Sequence, residues 1–117
     1  MSPDIQTRSF DFAVRVVRMC AELDKSAGVS RTLSNQVLRS GTSIGANIEE
    51  AQAGQSKADF ISKMSIACKE ARETLYWIRL FAATETLSAE KLAALQSEAN
   101  EIVAILTTIV KRSRDNN

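Results

Sequence analysis

The 117-residue sequence contains no histidine, a single proline at position 3 and only four glycines. Without histidine, the chain has neither a Ser-His-Asp triad nor an imidazole ligand for a metal ion. Because proline interrupts helices more strongly than any other residue, nothing after Pro3 prevents a largely helical chain. Four glycines are also too few for the many tight turns of an all-β sandwich or barrel. These absences favour an all-α protein.

The two signs of charge are nearly balanced, with 15 basic and 14 acidic side chains and a net charge of +1. This balance gives the chain as a whole no attraction to nucleic acid or to an anionic membrane. The hydrophobic fraction of 44% and the charged fraction of 25% are ordinary for a globular protein. We expect a single domain over residues 1–117, with short flexible tails at both ends.

The two cysteines, Cys20 and Cys68, both lie within apolar helical patterns. The N-terminus lacks the hydrophobic region of a signal peptide, and the longest apolar run, residues 102–106, is far too short to span a membrane. We therefore expect a cytoplasmic protein whose cysteines are buried reduced thiols that pack in the core.

The apolar residues repeat at helical spacing in four segments. We predict helices over residues 9–26, 31–54, 57–83 and 88–112. Ser9 and Ser56 are suitable N-caps for the first and third helices, and Thr86 or Ser88 for the fourth. The fourth segment has an apolar stripe with steps of three and four residues, formed by Leu92, Leu95, Ala99, Ile102, Leu106 and Ile109. Long helices with short connections predict an antiparallel up-and-down four-helix bundle.

Two of the predicted helices carry more apolar residues than one core-facing stripe requires. The first helix has two rows, one formed by Phe10, Val14, Val17 and Ala21 and the other by Phe12, Val16, Met19 and Leu23. The third has off-stripe residues Ile61, Ile66, Tyr76, Trp77, Leu80 and Phe81. The surplus indicates either a wide core face or a second surface that is buried by self-association, and we favour the second interpretation.

The second helix contains an unusual segment, RSGTSIGANIEEA, over residues 39–51. A glycine inside a helix costs about 1 kcal/mol relative to alanine, so Gly41 and Gly45 need a compensating role. They lie one turn apart on one face, which predicts close packing of a neighbouring helix. A phosphate-binding loop is the alternative, but no lysine follows Gly45 as a P-loop requires.

This segment, followed by SKADFISKM at 56–64 and KEARETLYWIRL at 69–80, resembles the bacterial four-helix-bundle family that includes the proteins encoded by intervening sequences in 23S rRNA genes. The resemblance covers almost the whole chain from Arg8 onward. It implies a bundle that assembles as a homopentameric ring. The family is also similar to the accessory variability proteins of diversity-generating retroelements, which are basic pentameric rings that work with a reverse transcriptase and nucleic acid. No enzymatic activity, cofactor or cellular role is implied.

Charged residues of the second and third helices have two interpretations. A carboxylate metal site of the ferritin type would need a Glu-x-x-His motif, which a chain without histidine lacks. Structural ion pairs are therefore favoured, and the candidate residues are Glu50, Lys69, Glu70, Arg72 and Glu73. A buried pair between Arg72 and a carboxylate would specify the packing of the helices.

Two hypotheses of function follow. The first is a non-enzymatic homo-oligomeric scaffold without a small-molecule substrate, and the second is a ring that binds RNA or DNA. The second would use the basic cluster Lys111, Arg112 and Arg114, although cations at a helix C-terminus are also favourable for the helix dipole alone. The six aromatic residues are interpreted as core or interface side chains rather than as base-stacking platforms. An enzyme is disfavoured because no nucleophile and base can be paired.

Overall fold

The computed structural model describes residues 4–23 and 28–116. It places four helices, α1 (Asp4–Leu23), α2 (Val29–Gln52), α3 (Lys57–Ala83) and α4 (Ala89–Asp115). Each helix packs against the next in the chain, and α1 also packs against α4, whereas α1 and α3 do not contact each other in the described residues. The predicted up-and-down four-helix bundle is confirmed, and α1 and α3 lie diagonally across it.

The starts of α3 and α4 follow from their capping serines. The hydroxyl of Ser56 accepts a hydrogen bond from the Asp59 amide at 3.0 Å, and that of Ser88 accepts one from the Lys91 amide at 3.2 Å. These bonds satisfy amides that have no partner within the helix. The predicted span 57–83 agrees with α3 at both ends, and Ser88 rather than Thr86 caps α4.

The predicted start of the first helix at Ser9 is wrong, because α1 begins at Asp4. Ser9 lies inside the helix, where its hydroxyl donates to the carbonyl oxygen of Gln6 at 3.0 Å and so does not act as a cap. The added turn also buries Ile5 in the core, which favours the longer helix. The predicted end at residue 26 lies outside the described residues.

The remaining helix boundaries differ from the predictions by one to three residues. α2 begins at Val29, two residues early, after Gly28, whose φ of 82° is a conformation that only glycine adopts readily. It ends at Gln52 rather than at residue 54, and α4 extends to Asp115, three residues past the predicted end.

All four helices contribute side chains to one apolar core. Its largest fully buried members are Phe12, Val16, Val37, Ile44, Ile48, Met64, Ile78, Phe81, Leu92, Ile102 and Leu106. Each such side chain contributes about 1.5–3 kcal/mol through removal of its apolar surface from water. The apolar stripe predicted in the fourth segment faces this core, with Ile109 partly buried at its end.

Helix α1 packs closely against the glycines of α2. A Cβ atom at Gly41 would lie only 2.9 Å from Cγ1 of Val16, and one at Gly45 would lie 3.4 Å from the carbonyl oxygen of Ser9. Both glycines are buried. Val16 at one end and Ser9 at the other therefore fix the height of α1 along α2.

A buried hydrogen bond and several ion pairs fix the height of α3 along α2. Thr74 Oγ1 lies 2.9 Å from Ser40 Oγ, both fully buried, and Lys63 Nζ lies 2.8 Å from a carboxylate oxygen of Glu50. Arg39 adds ion pairs to Glu70 and Glu73. Because Ser40 precedes Gly41, the residues Val16, Gly41 and Thr74 lie at one height, which we term the upper layer.

A lower layer contains the contact between Ser9 and Gly45. Gly45 lies midway along α2 between Ser40 and Glu50, whose partners on α3 are Thr74 and Lys63. The lower layer therefore crosses α3 midway between those two partners, at about residues 68–69.

The other long-range ion pairs of the described residues connect α1 to α4. Arg8 donates to Glu98 at 2.7 and 2.9 Å and to Glu101 at 3.1 Å. The hydrogen bonds and positive charge of Arg8 hold the pKa of the Glu98 carboxyl below its ordinary value, although partial burial acts in the opposite direction. The same bonds raise the pKa of Arg8.

We predict that Glu98→Gln lowers the free energy of unfolding by about 0.5–1 kcal/mol at neutral pH, because the variant cannot form the bidentate ion pair. A depressed pKa in the folded state means that the stabilisation is present above the ordinary carboxyl pKa and disappears as the pH falls through the depressed value. Urea unfolding should therefore show the two proteins converging in acid. Glu101→Gln, at the exposed end of the network, is the matched control and should have the smaller effect.

We also predict opposite effects for the same substitution at two glycines one turn apart. Gly41→Ala should destabilise the bundle, because the stiff Val16 side chain cannot yield and overpacking costs about 1–3 kcal/mol, more than the roughly 1 kcal/mol gained in helix propensity. Gly45→Ala meets only an ordinary contact and should be neutral or stabilising by up to about 1 kcal/mol. Chemical denaturation measures both. Equal effects would contradict close packing at Gly41.

Candidate functional site

The outer side of α1 exposes an apolar row, which we term the α1 face: Phe10, Val14, Val17 and Ala21. The side chain of Phe10 is 58% exposed and that of Val17 is 48% exposed. The companion row faces the core, with Phe12, Val16 and Leu23 buried. One of the two predicted rows on this helix is therefore accounted for by the core, and the other is not.

A second apolar surface lies on the outer side of α3, and we term it the α3 face: Ile66, Tyr76 and Leu80. Ile66 is 39% and Tyr76 54% exposed. The Tyr76 ring packs edge-on against Trp77, with 5.2 Å between the centroids, and the Trp77 indole donates to Glu73 at 3.0 Å. Phe81 was predicted among the off-stripe apolar residues of this helix, but it is fully buried in the bundle. For Phe81, the surplus therefore reflects a wide core face and not a self-association surface.

A third surface is a groove of about 480 Å³ between α3 and α4. Its cations, Lys69, Arg72, Lys111 and Arg114, come from both helices. Its floor includes the buried residues Cys68 and Val110, and the walls also carry Ser65, Thr107 and the carboxylate of Asp115. We term this surface the basic groove.

Hydrogen bonds hold two of these cations across the basic groove. Arg72 donates to Thr107 Oγ1 at 3.3 Å, and Arg114 donates to Ser65 Oγ at 3.3 Å. None of the four cations makes an ion pair with another residue in the described part of the chain. The groove thus concentrates positive charge that the nearly neutral whole chain does not show.

The three cations predicted as a nucleic-acid contact do not form one cluster. Lys111 and Arg114 line the basic groove, whereas Arg112 lines a separate apolar cleft beside Ile5 and Ile109. The reason is helical geometry, since Lys111 and Arg114 are three residues apart on one side of α4 and Arg112 points away from both. The groove instead brings Lys69 and Arg72 to Lys111 and Arg114.

The predicted ion-pair residues are also distributed differently. Among them, Glu50 pairs with Lys63, and Glu70 and Glu73 both pair with Arg39. Lys69 and Arg72 take part in no ion pair among the described residues, and the predicted buried pair of Arg72 with a carboxylate is replaced by its bond to Thr107 on the surface. Sequence reasoning missed Arg39, although it opens the glycine-containing segment.

The two thiols lie in the interior. Cys20 Sγ is 3.5 Å from the carbonyl oxygen of Ser34, and Cys68 Sγ is 3.5 Å from Thr107 Oγ1. Both cysteines are buried, as the sequence predicts. Over residues 4–23 and 28–116, no group of three or more Cys, Asp or Glu side chains is placed to hold a metal ion. In the same residues, no helix combines the length and apolar character that crossing a membrane requires.

A known protein structure has the same architecture. A crystal structure of a protein of unknown function from the S23 ribosomal protein family of Bacteroides thetaiotaomicron VPI-5482 superimposes with a TM-score of 0.84 at 44% sequence identity, over 92% of this chain and 98% of that chain. No curated protein matches the sequence significantly. The family model of the 23S rRNA-intervening sequence proteins matches residues 2–108. The chain therefore belongs to the 23S rRNA-intervening sequence protein family.

Proposed function

We propose that this protein is a non-enzymatic, cytoplasmic interaction scaffold that assembles as a homo-oligomer, in the form of a homopentameric ring. The observation that carries the proposal is the exposed α1 face. Phe10 and Val17 lie on the same side of α1, seven residues apart, and about half of each side chain stays exposed in the described bundle. Scattered exposed apolar side chains need no explanation, but a row along one helix is typical of an interface.

The energetics favour covering this face. Burial of apolar surface contributes about 25 cal/mol per Å², and aromatic side chains such as Phe10 provide the largest areas. The α3 face supplies a second surface of the same kind on the opposite side of the bundle. A molecule with two different apolar faces can associate head to tail, which is the arrangement that closes into rings.

The residue types present support a scaffold rather than an enzyme. The chain has no histidine to serve as a general base. Its two thiols are buried, and Cys68 lies beside a hydroxyl rather than beside a base. These features support a role in assembly and give no support to a reaction at either thiol.

Light scattering coupled to size-exclusion chromatography tests the assembly. We expect a particle of five chains, each of 12.8 kDa. Native mass spectrometry at the same concentration should give the same stoichiometry. A single monomeric species at micromolar concentration would refute the proposal, because both apolar faces would then remain in water.

A second candidate function is binding of the phosphate backbone of RNA or DNA, and the basic groove favours it. Four cations and two hydroxyls line the groove, and no described carboxylate pairs with any of the cations. Lysine, arginine and hydroxyl side chains are the usual ligands of phosphate oxygens in such complexes. Repetition of the groove around a ring would increase the affinity of the whole particle for the phosphate backbone.

The groove gives the binding experiment a matched control. We predict that Lys111→Gln with Arg114→Gln weakens binding to a fluorescent RNA duplex. The slope of log K against log salt concentration should become shallower by about 0.9 for each phosphate that the variant no longer neutralises. Arg112→Gln removes a cation from the same helical turn but outside the groove, so it should leave the salt dependence almost unchanged. Equal weakening by both variants in anisotropy titrations would contradict a role of the groove.

A further inference from the structure

We propose that the ring is built by one repeated contact, in which the α1 face of each copy packs against the α3 face of the next. This inference rests on the proposed homo-oligomer and identifies the surfaces that form it. The two faces differ in sequence and lie on helices that do not touch within the described part of one bundle. A contact between two different patches leaves one free patch on each partner, so the assembly grows until rotation closes it.

The two faces match in height along the bundle. Val17 follows Val16 of the upper layer, and Tyr76 lies two residues after Thr74 of the same layer, which is a rise of about 3 Å. In a ring whose axis runs parallel to the helices, neighbouring copies stand at equal height. Val17 of one copy therefore meets Tyr76 of the next.

The lower ends of the faces lie within about one helical turn of each other in height. Phe10 follows Ser9 of the lower layer, which crosses α3 at about residues 68–69. Ile66 lies within one turn of that height. Phe10 of one copy therefore lies within about one helical turn of Ile66 of the next in height, a difference that the two large side chains can span.

The charges beside the two faces are complementary. Phe10 lines a shallow depression together with Gln6, Thr7 and the carboxylate of Glu49. On α3, Lys69 lies seven residues before Tyr76 and therefore on the same side of the helix. Neither Glu49 nor Lys69 makes an ion pair within the described residues. Glu49 lies four residues after Gly45, so in the ring Glu49 of one copy stands about 6 Å from the height of Lys69 of the next, which the two long side chains can span.

Two double variants test the contact, each altering one face. Phe10→Ser with Val17→Ser removes the apolar α1 face, and Ile66→Ser with Tyr76→Ser removes the α3 face. All four side chains are exposed, so the helix content by circular dichroism should stay that of the wild type. Each variant alone should be monomeric by light scattering. Val29→Ser, which alters a 75% exposed side chain outside both faces, should assemble like the wild type.

The mixture of the two double variants distinguishes a head-to-tail contact from a symmetric one. One intact α1 face and one intact α3 face remain in the mixture, so a 1:1 heterodimer that cannot grow should form. If each variant instead retains the wild-type oligomer, the α1 and α3 faces do not form the contact, although the proposed homo-oligomer is still supported. If each variant alone forms a homodimer, each face pairs with its own kind and the head-to-tail contact is wrong. If the two variants are monomeric and do not combine, the α1 face does not bind the α3 face and the contact is likewise wrong. A monomeric wild type would refute the proposed function itself.

A charge exchange provides an independent test of the same register. Glu49→Lys and Lys69→Glu should each weaken assembly by an order of magnitude or less, as expected for a partly exposed ion pair. The double variant restores the pair with its polarity reversed and should recover most of the affinity. Additive weakening in the double variant would overturn the proposed opposition of Glu49 and Lys69.

Discussion

The contact of Val16 with the glycine face of α2 sets the orientation of α1, and the surface properties of the protein depend on that orientation. Val16 and Ser9, seven residues apart, both lie against α2 at Gly41 and Gly45. Successive residues of a helix differ by about 100° in direction. The residues that follow each contact, Val17 and Phe10, are therefore rotated by about 100° from that contact and are partly exposed to solvent. A larger residue at Gly41 would displace Val16 and change the direction of the whole apolar row.

Electrostatics separates the cations of this chain into those that hold the bundle together and those that face solvent without a carboxylate partner. Arg8 and Arg39 each bind two carboxylates across a helix interface, so their charge is compensated within the fold. The cations of the basic groove bond at most to hydroxyls among the described residues. A net charge of +1 therefore conceals an uneven distribution, in which most local compensation occurs on the α1–α4 and α2–α3 sides.

The sequence determines features that depend on one helix at a time. Ser56 and the following acidic residue predicted the start of α3, because a cap acts within a single turn. The apolar spacing of α4 predicted its buried stripe for the same reason. Ser9 misled because serine is a good cap but is also tolerated inside a helix, where its hydroxyl bonds to a preceding carbonyl. The burial of Ile5 in the shared core favours the longer helix, in which Ser9 is an interior residue and not the cap. That burial depends on tertiary packing.

The partners of charged side chains could not be predicted, because they depend on the relative heights of two helices. Arg72 and Glu73 are neighbours in sequence, yet Arg72 points to α4 and Glu73 to Arg39 on α2. The surplus apolar rows were visible in the sequence, but only burial shows which members are covered. Phe81 belongs to the core and Tyr76 does not. The division of the basic cluster at the end of α4 has the same origin, since its three residues face two different neighbours.

Lys69 connects the two surfaces that the bundle presents. It lines the basic groove, and it also lies on the side of α3 that carries Tyr76. In a ring closed by the α1 and α3 faces, Glu49 of the adjacent copy compensates Lys69 and leaves Arg72, Lys111 and Arg114 as the cations available to a phosphate ligand. The proposed assembly would thus lower the charge of each groove by one but would place several grooves on one particle. Because neutralised phosphates contribute cumulatively to binding, the repetition of the groove in the proposed ring would outweigh the removal of a single cation from each groove.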